Sequence, residues 1–355
     1  MSDQDTLSSR DQSAFGFMGK VTTVQLPLKV GIVGATGIVG LELLKILKEQ
    51  SFPMKELRVF GSDTSQSTWL DSPYGVLPVE KLNPRQIPVI DMVFMAAGSE
   101  VARRWGWRLA RKGAFVIDKS SYFRDKTYAP LTVPEVNPEV LQTDAKIFGN
   151  PNCATIPIVH ALKPLHDQFE LKGFTAVSFQ SVSGAGRSGV KALENELRDS
   201  ESQPSAFSER IVDNVIPWIG DTDDSSSSEE KKIVSESRKI LSLPRLPIRV
   251  TCVRVPVSIG HCVAIHADFR RRVDVDQAKS LLREFPGLEL IDDLQDHKFH
   301  TPLIARGTDK TIVGRVRYDR GKRGLGLWVA VDNLRKGAAL NAVQIAQILL
   351  KRLGK

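Results

Sequence analysis

Three features of this chain have residue types that could act in one reaction: a cysteine, a histidine and a glycine-rich loop. Cys153 lies in the run Gly149-Asn150-Pro151-Asn152-Cys153-Ala154-Thr155. A cysteine attacks as its thiolate, and a helix N-terminus or nearby imidazole lowers its pKa toward neutrality. The Asn-Pro-Asn run reads as a turn into such a helix over 154–165, with Pro157 in its early part. His261, in Ser258-Ile259-Gly260-His261, offers a group that titrates near neutrality and can move protons. Upstream, Gly34-Ala35-Thr36-Gly37-Ile38-Val39-Gly40 follows the apolar run 28–33 and precedes leucines at 41, 43, 44 and 47. Strand, glycine loop and helix in that order turn backbone N–H groups and a helix N-terminus toward a pyrophosphate. Glycine is needed where the chain must approach the phosphates without a Cβ. Together these features describe a thiol that attacks an activated acyl group beside a nicotinamide.

The elements that position them follow from periodicity. Residues 57–60 form a second strand, and the polar run 61–65 after it stands where the cofactor ribose is recognised. An acidic residue there accepts from a free 2′-OH, whereas arginine or hydroxyls suit a 2′-phosphate. The chain offers Asp63 among Ser62, Thr64 and Ser65, so both NADP and NAD stay open at this point. Strands at 89–96 and 114–117 flank a helix at 100–111, an alternation that predicts a doubly wound parallel sheet. Beyond Cys153 the runs 174–181, 248–257, 264–270 and 325–331 are longer and strand-like, which predicts an α+β second domain. A last helix, 338–353, is expected to pack back on the first domain. The boundaries are thus a tail at 1–26, a dinucleotide-binding domain at 27–152 with 336–355, and a catalytic domain at 153–335.

Composition narrows the classes. The 355 residues suggest two domains. No run approaches the roughly 18 apolar residues of a membrane span, and Asp3, Asp5 and Asp11 argue against a transit peptide. Three cysteines without a CxxC pair indicate neither a disulfide framework nor a zinc site, and a reducing cytoplasm is expected. The net charge of +8 is scattered, which fits steering of anionic small molecules rather than nucleic-acid binding. Cys252 and Cys262, in apolar surroundings, are expected to be packed thiols. Residues 221–228 read as a solvated loop, with a helix opening at Glu229.

The chain resembles the aspartate-semialdehyde dehydrogenases over about residues 28–353. The resemblance is carried by GATGIVG at 34–40, DKSSYFR at 118–124, PEVNP at 134–138, NPNCAT at 150–155, FQSVSGAG at 179–186, EEKKIVSESRKIL at 229–241, RVPVSIGHC at 254–262 and DNLRKGAALNAVQIA at 332–346. It implies NADPH-dependent reductive dephosphorylation of L-4-aspartyl phosphate to L-aspartate-4-semialdehyde and phosphate, through a Cys153 thioester with His261 as acid/base. That reaction serves lysine and diaminopimelate, methionine, threonine and isoleucine biosynthesis. It further implies substrate contacts from Gln180, from Arg254 to the α-carboxylate, from Glu229 and Lys232 to amine and phosphate, and from Arg124 to phosphate. Cofactor contacts are implied for Gly34, Thr36, Gly37, Ile38, Val39, Gly40, Ser62, Thr64, Ser65, Ser183, Gly184 and Asn333, and a homodimer or homotetramer for the assembly. Two positions depart from the family pattern: Lys119 stands where most members have Asn, and Thr64 where an arginine meets the 2′-phosphate. The N-acetyl-γ-glutamyl-phosphate reductases use the same thiol logic, but their cysteine usually follows Gly, whereas Asn152 precedes Cys153 here. A non-enzymatic paralogue would have no need to keep Cys153, Gln180, Arg254 and His261 together.

Overall fold

The glycine loop stands at the C-terminal edge of a seven-stranded sheet built from β1 (Leu28–Val33), β2 (Met54–Gly61), β3 (Trp69–Ser72), β4 (Gly75–Lys81), β5 (Met92–Met95), β6 (Phe115–Asp118) and β7 (Ile147–Gly149). The order is β3-β4-β2-β1-β5-β6-β7, and every pairing is parallel except β3 with β4. This computed structural model describes residues 27–353 except 62–67, 200, 202, 205, 224, 294, 296–298 and 320. The expected tail at 1–26 and the ribose-loop residues Ser62, Asp63, Thr64 and Ser65 lie outside the described residues. β5 and β6 are buried along their whole length, as the strands of a sheet covered on both faces must be. The helices α1 (Ile38–Glu49) and α2 (Ser99–Arg111) provide that cover. The sequence does not announce the β3–β4 hairpin, because Trp69 and Val76 face solvent and its inward residues Leu70, Leu77 and Val79 are only partly buried against the core.

The second sheet has the order β11-β8-β12-β15-β14-β13, formed by β8 (Leu171–Gln180), β11 (Ile248–Arg254), β12 (His261–Phe269), β13 (Leu288–Leu290), β14 (Thr311–Tyr318) and β15 (Gly324–Val331). Against one face pack α3 (Thr155–Phe169), α5 (Ser228–Ile240) and α6 (Val275–Glu284), in one core that joins Ile158, Leu162, Ile233 and Leu282 to Ile265 and Leu327. Each such side chain taken from water contributes about 1.5–3 kcal/mol. A 3₁₀ turn, Val182–Ala185, leads from β8 into α4 (Gly186–Arg198). Residues 221–228 are not the plain loop expected: β9 (Thr222–Asp223) pairs with β10 (Ser226–Ser227), and buried Ser227 caps α5. Its hydroxyl accepts from Glu230 N–H while the Glu230 carboxylate accepts from Ser227 N–H, the reciprocal capping box that Ser-x-x-Glu encodes.

A short helix, α7 (Pro302–Ala305), precedes β14, and after β15 a π-helical turn, Arg335–Ala339, opens into α8 (Leu340–Leu353). Val343, Ile345, Ala346 and Leu349 share a core with Leu43, Leu44 and Leu47 of α1, so the last helix does return to the first domain. Arg335 holds that return in place, pairing with Glu42 at 2.9 Å, Glu49 at 2.6 Å and Asp309 at 2.8 Å.

Candidate active site

Sheet register brings the site together. β8 and β11 are parallel and in register to their last residues, so Gln180 and Arg254 end side by side. β12 starts at that same end and runs back antiparallel, which puts His261 one strand over. β15 arrives antiparallel to β12, pairing Val331 with His261 and leaving Asn333 just beyond. Cys153 reaches this edge from the first sheet, past β7 and just before α3.

The turn that carries Cys153 is pinned by its neighbour. The Asn152 side-chain oxygen accepts from Ala154 N–H at 2.8 Å and Thr155 N–H at 3.4 Å, opening the helix. Asn152 in turn donates its backbone N–H to Glu236 at 2.6 Å and its amide to Glu229 at 2.7 Å. Both carboxylates come from one face of α5, two turns apart. Glu236 was missed in the sequence, although its i,i+7 spacing from Glu229 was a signal.

The thiol lies 3.3 Å from His261 Nε2. It does not show the lowered pKa that the sequence suggested. Burial pushes it up to about 11 and Glu229 acts in the same sense, while Lys119, Arg124 and Arg254 pull it down. Desolvation of the anion outweighs those three cations. His261 is fully buried, and burial, helped by the Arg254 guanidinium and opposed by the Gly260 backbone, lowers it to about 3. The ring is therefore neutral at physiological pH. Cys252 and Cys262 are buried thiols, both pushed up to about 12 by burial.

Around the pair, Arg254 Nη1 donates to the Ser181 carbonyl at 2.7 Å, and the guanidinium lies 5.7 Å from the Phe207 ring centroid. Gln180 donates to Ser178 Oγ at 3.2 Å. Arg124 donates to Glu236 at 2.8 Å, and its buried Nε has no partner among the described residues. Lys232 pairs with Glu229 at 3.4 Å, as the i,i+3 spacing allows. Lys119 follows β6 directly and is only half-buried. Gly184 touches the site from the other side: a Cβ there would stand 2.7 Å from Arg254 Nη1 and 3.4 Å from His261 Nε2. Ser183 and Asn333, expected as cofactor contacts, are buried, and their side chains bond to each other at 3.0 Å. Ser181, which the sequence did not single out, bonds to both Asn333 and His261.

The residues of the first loop fit a dinucleotide. Gly34 has φ +83°, and a Cβ on it would meet the Ala96 carbonyl at 2.8 Å. A Cβ on Gly40 would stand 2.3 Å from the Gly34 carbonyl oxygen, so α1 can pack this close to β1 only with glycine there. The first turn of α1, with Ile38 and Val39, carries no acidic side chain, which leaves its N–H groups and dipole for an anion. Arg187, at the start of α4, donates to the Thr36 carbonyl at 2.8 Å and so joins this loop to the turn at 182–185. Among the described residues no group of His, Cys, Asp and Glu is placed to hold a metal.

A doubly wound nucleotide-binding sheet, joined to a mixed sheet whose strand ends gather a thiol, an imidazole, a guanidinium and an amide, defines a two-domain dinucleotide-dependent oxidoreductase. Comparison with known proteins agrees. Residues 29–144 match the family model described as semialdehyde dehydrogenase, NAD binding domain, and residues 162–336 match semialdehyde dehydrogenase, dimerisation domain. A relative from Streptomyces akiyoshiensis, an aspartate-semialdehyde dehydrogenase, is 40% identical over 346 residues, covering 92% of this chain and 99% of its own. The structure of Vibrio cholerae aspartate semialdehyde dehydrogenase II complexed with ASA superposes with a TM-score of 0.87 at 36% identity, over 91% of this chain and 98% of that one. The Candida albicans enzyme with NADP superposes with a TM-score of 0.72 at 25% identity, over 92% and 99%. The chain belongs to the aspartate-semialdehyde dehydrogenase family.

Proposed function

We propose that this protein converts L-4-aspartyl phosphate to L-aspartate-4-semialdehyde, with NADPH as reductant, at the Cys153–His261 pair. The observation that carries the reading is the 3.3 Å Sγ to Nε2 contact, set among Gln180 and Arg254 at adjacent strand ends. Cys153 Sγ forms a bond to the acyl carbon while the bond to the phosphate oxygen breaks and the thiol proton leaves with the phosphate, so that a thioester and free phosphate result. When bound, NADPH supplies the hydride that takes the thioester to the aldehyde level. His261 gives a proton to the oxygen that the hydride leaves negative, and takes it back as the bond from that carbon to Cys153 Sγ breaks to release the aldehyde and the thiolate. Arg254 offers its planar fork to the α-carboxylate, and Gln180 orients the acyl group without adding charge. Arg124 and Lys232 hold the phosphate, and Glu229 the substrate amine; the unpartnered Arg124 Nε supports the first of these. The glycine loop and the turn at 183–184 hold the cofactor.

NADP is proposed over NAD by likeness to the NADP-bound relative, with NAD as the other candidate because Thr64 stands where the resemblance implies an arginine and Asp63 is adjacent. We assign domain limits of 27–152 with 336–355 and 153–335, which the shared core of α1 and α8 supports. The match to a dimerisation domain supports a homodimer, with a tetramer the alternative, and the family's biosynthetic role supports a cytoplasmic site. Among the described residues no helix is long and apolar enough to cross a membrane. The test is reduction of NADP⁺ and, separately, NAD⁺ by L-aspartate-4-semialdehyde with and without phosphate. Activity that requires phosphate and disappears in Cys153→Ala is expected, and activity independent of phosphate would overturn the reading. The ratio of the two rates decides the cofactor.

A further inference from the structure

We infer that Ser181 holds His261 in the tautomer with its proton on Nε2, so that the imidazole meets Cys153 as a hydrogen-bond donor. The inference rests on Cys153 and His261 being the reacting pair. A backbone N–H can only donate, and the Ser181 N–H points at His261 Nδ1 at 3.2 Å. The Ser181 hydroxyl approaches the same nitrogen at 3.0 Å.

A second obligatory donor sets the rest of the network. Gly260 N–H donates to Asn333 Oδ1 at 2.8 Å, which fixes the amide with its NH₂ toward Ser183 Oγ at 3.0 Å. Ser183 accepts that bond and has its own proton left for Ser181 Oγ, 3.0 Å away. Ser181 has its proton left for Nδ1, or for Asn333 Oδ1 at 3.1 Å. The backbone N–H needs the Nδ1 lone pair, and a Ser181 proton turned to Asn333 would set a second lone pair against it, so the hydroxyl donates to Nδ1 as well and Nδ1 holds no proton. The ring proton of neutral His261 is then on Nε2, facing Cys153 Sγ at 3.3 Å.

In this tautomer the ring stabilises a thiolate by donating to it and does not accept the thiol proton. Ser181 also ties the ring to the substrate site, since its carbonyl accepts from Arg254 Nη1 at 2.7 Å. Imidazole and guanidinium are therefore set from the two sides of one residue. Ser181 touches neither substrate nor thiol and acts as a positioning residue. The four members Ser181, Ser183, Asn333 and His261 are all buried, so water does not compete for these bonds.

Two measurements test this. In protein labelled with ¹⁵N at its six histidines, the signals that vanish in His261→Asn are those of His261. Nδ1 is expected at the shift of a bare, hydrogen-bonded ring nitrogen and Nε2 at that of a protonated one; the reverse would overturn the inference whether or not the enzyme is active. In turnover, Ser181→Ala is expected to lower kcat about tenfold with KM for the semialdehyde little changed, the loss of one buried hydrogen bond. Ser181→Thr, which keeps the hydroxyl, is expected to restore most of it. An Ala variant with unaltered kcat would remove the hydroxyl from the assignment, and absence of turnover in the unaltered protein would instead count against the proposed reaction.

Discussion

Among the described residues His160 and His261 are both fully buried, and only His261 stands at the site. His160, on α3, has Nε2 at 2.8 Å from the Pro286 carbonyl and Nδ1 at 3.0 Å from Thr311 Oγ1. A carbonyl only accepts, so its proton too is on Nε2, and Thr311 donates to Nδ1. Burial, helped by Lys336, lowers His160 to about 4, as burial lowers His261 to about 3. Tautomer, burial and pKa are thus nearly the same. What differs is the partner of Nε2, a carbonyl in one case and a thiol in the other. A depressed pKa marks a buried ring; a reactive group facing that ring marks a catalytic one.

The largest effect that separates the two comes from removing each ring. His261→Asn is expected to lower kcat by roughly 10²–10⁴-fold, the usual contribution of a positioned acid/base group, while the thermal midpoint moves little. His160→Asn is expected to leave kcat within about twofold but to cost about 1–3 kcal/mol of stability, since the Thr311 hydroxyl or Pro286 carbonyl loses its buried partner. Steady-state kinetics and thermal unfolding on both variants make the check. A His160 variant that lost kcat at an unchanged midpoint would erase the contrast.

Next in size is the acid response of His160. Its folded pKa of about 4 is below the ordinary value of 6.5, so the unfolded chain takes up the proton first. Its stabilising contribution is therefore complete above pH 6.5 and is lost as pH falls toward 4, amounting to about 2 kcal/mol by pH 5. His160→Gln cannot titrate and should show a flatter fall in midpoint between pH 7 and pH 5 than the unaltered protein. Parallel curves would mean that the ring does not charge on unfolding.

The same contrast shows what the sequence could reveal. The dinucleotide loop was legible because its function lies in the backbone, and glycine at 34 and 40 is the residue type that a close approach demands. The strands at 174–181 and 248–257 were found nearly at their observed limits, since buried β-branched and aromatic runs announce themselves. Cys153 and His261 stand out by residue type and Gln180 and Arg254 by family likeness, but their convergence depends on the register of β8, β11 and β12, which no local pattern encodes. Ser181 and Glu236 went unseen for that reason: each acts on a residue far along the chain, Ser181 on His261 and Glu236 on the backbone of Asn152. The thiol's upward shift was also hidden, because desolvation is a property of the packed site rather than of the residues around Cys153 in sequence.

The smallest effect concerns the charges around the thiol. The Lys119 ammonium favours the Cys153 thiolate and the Glu229 carboxylate disfavours it. Lys119→Asn, which removes the charge, should therefore raise the thiol pKa and slow its alkylation by iodoacetamide at neutral pH by about threefold to tenfold, a shift of roughly half to one unit. Glu229→Gln, which keeps an oxygen for the Asn152 amide, should shift the pKa the opposite way and speed alkylation. His160→Gln should change neither rate, because that ring faces no thiol. Opposite signs at Lys119 and Glu229 would show that the thiol is tuned by the charges that face it. Equal rates in all three variants would mean that the fixed dipoles of the α3 turn and the His261 Nε2–H set its reactivity alone.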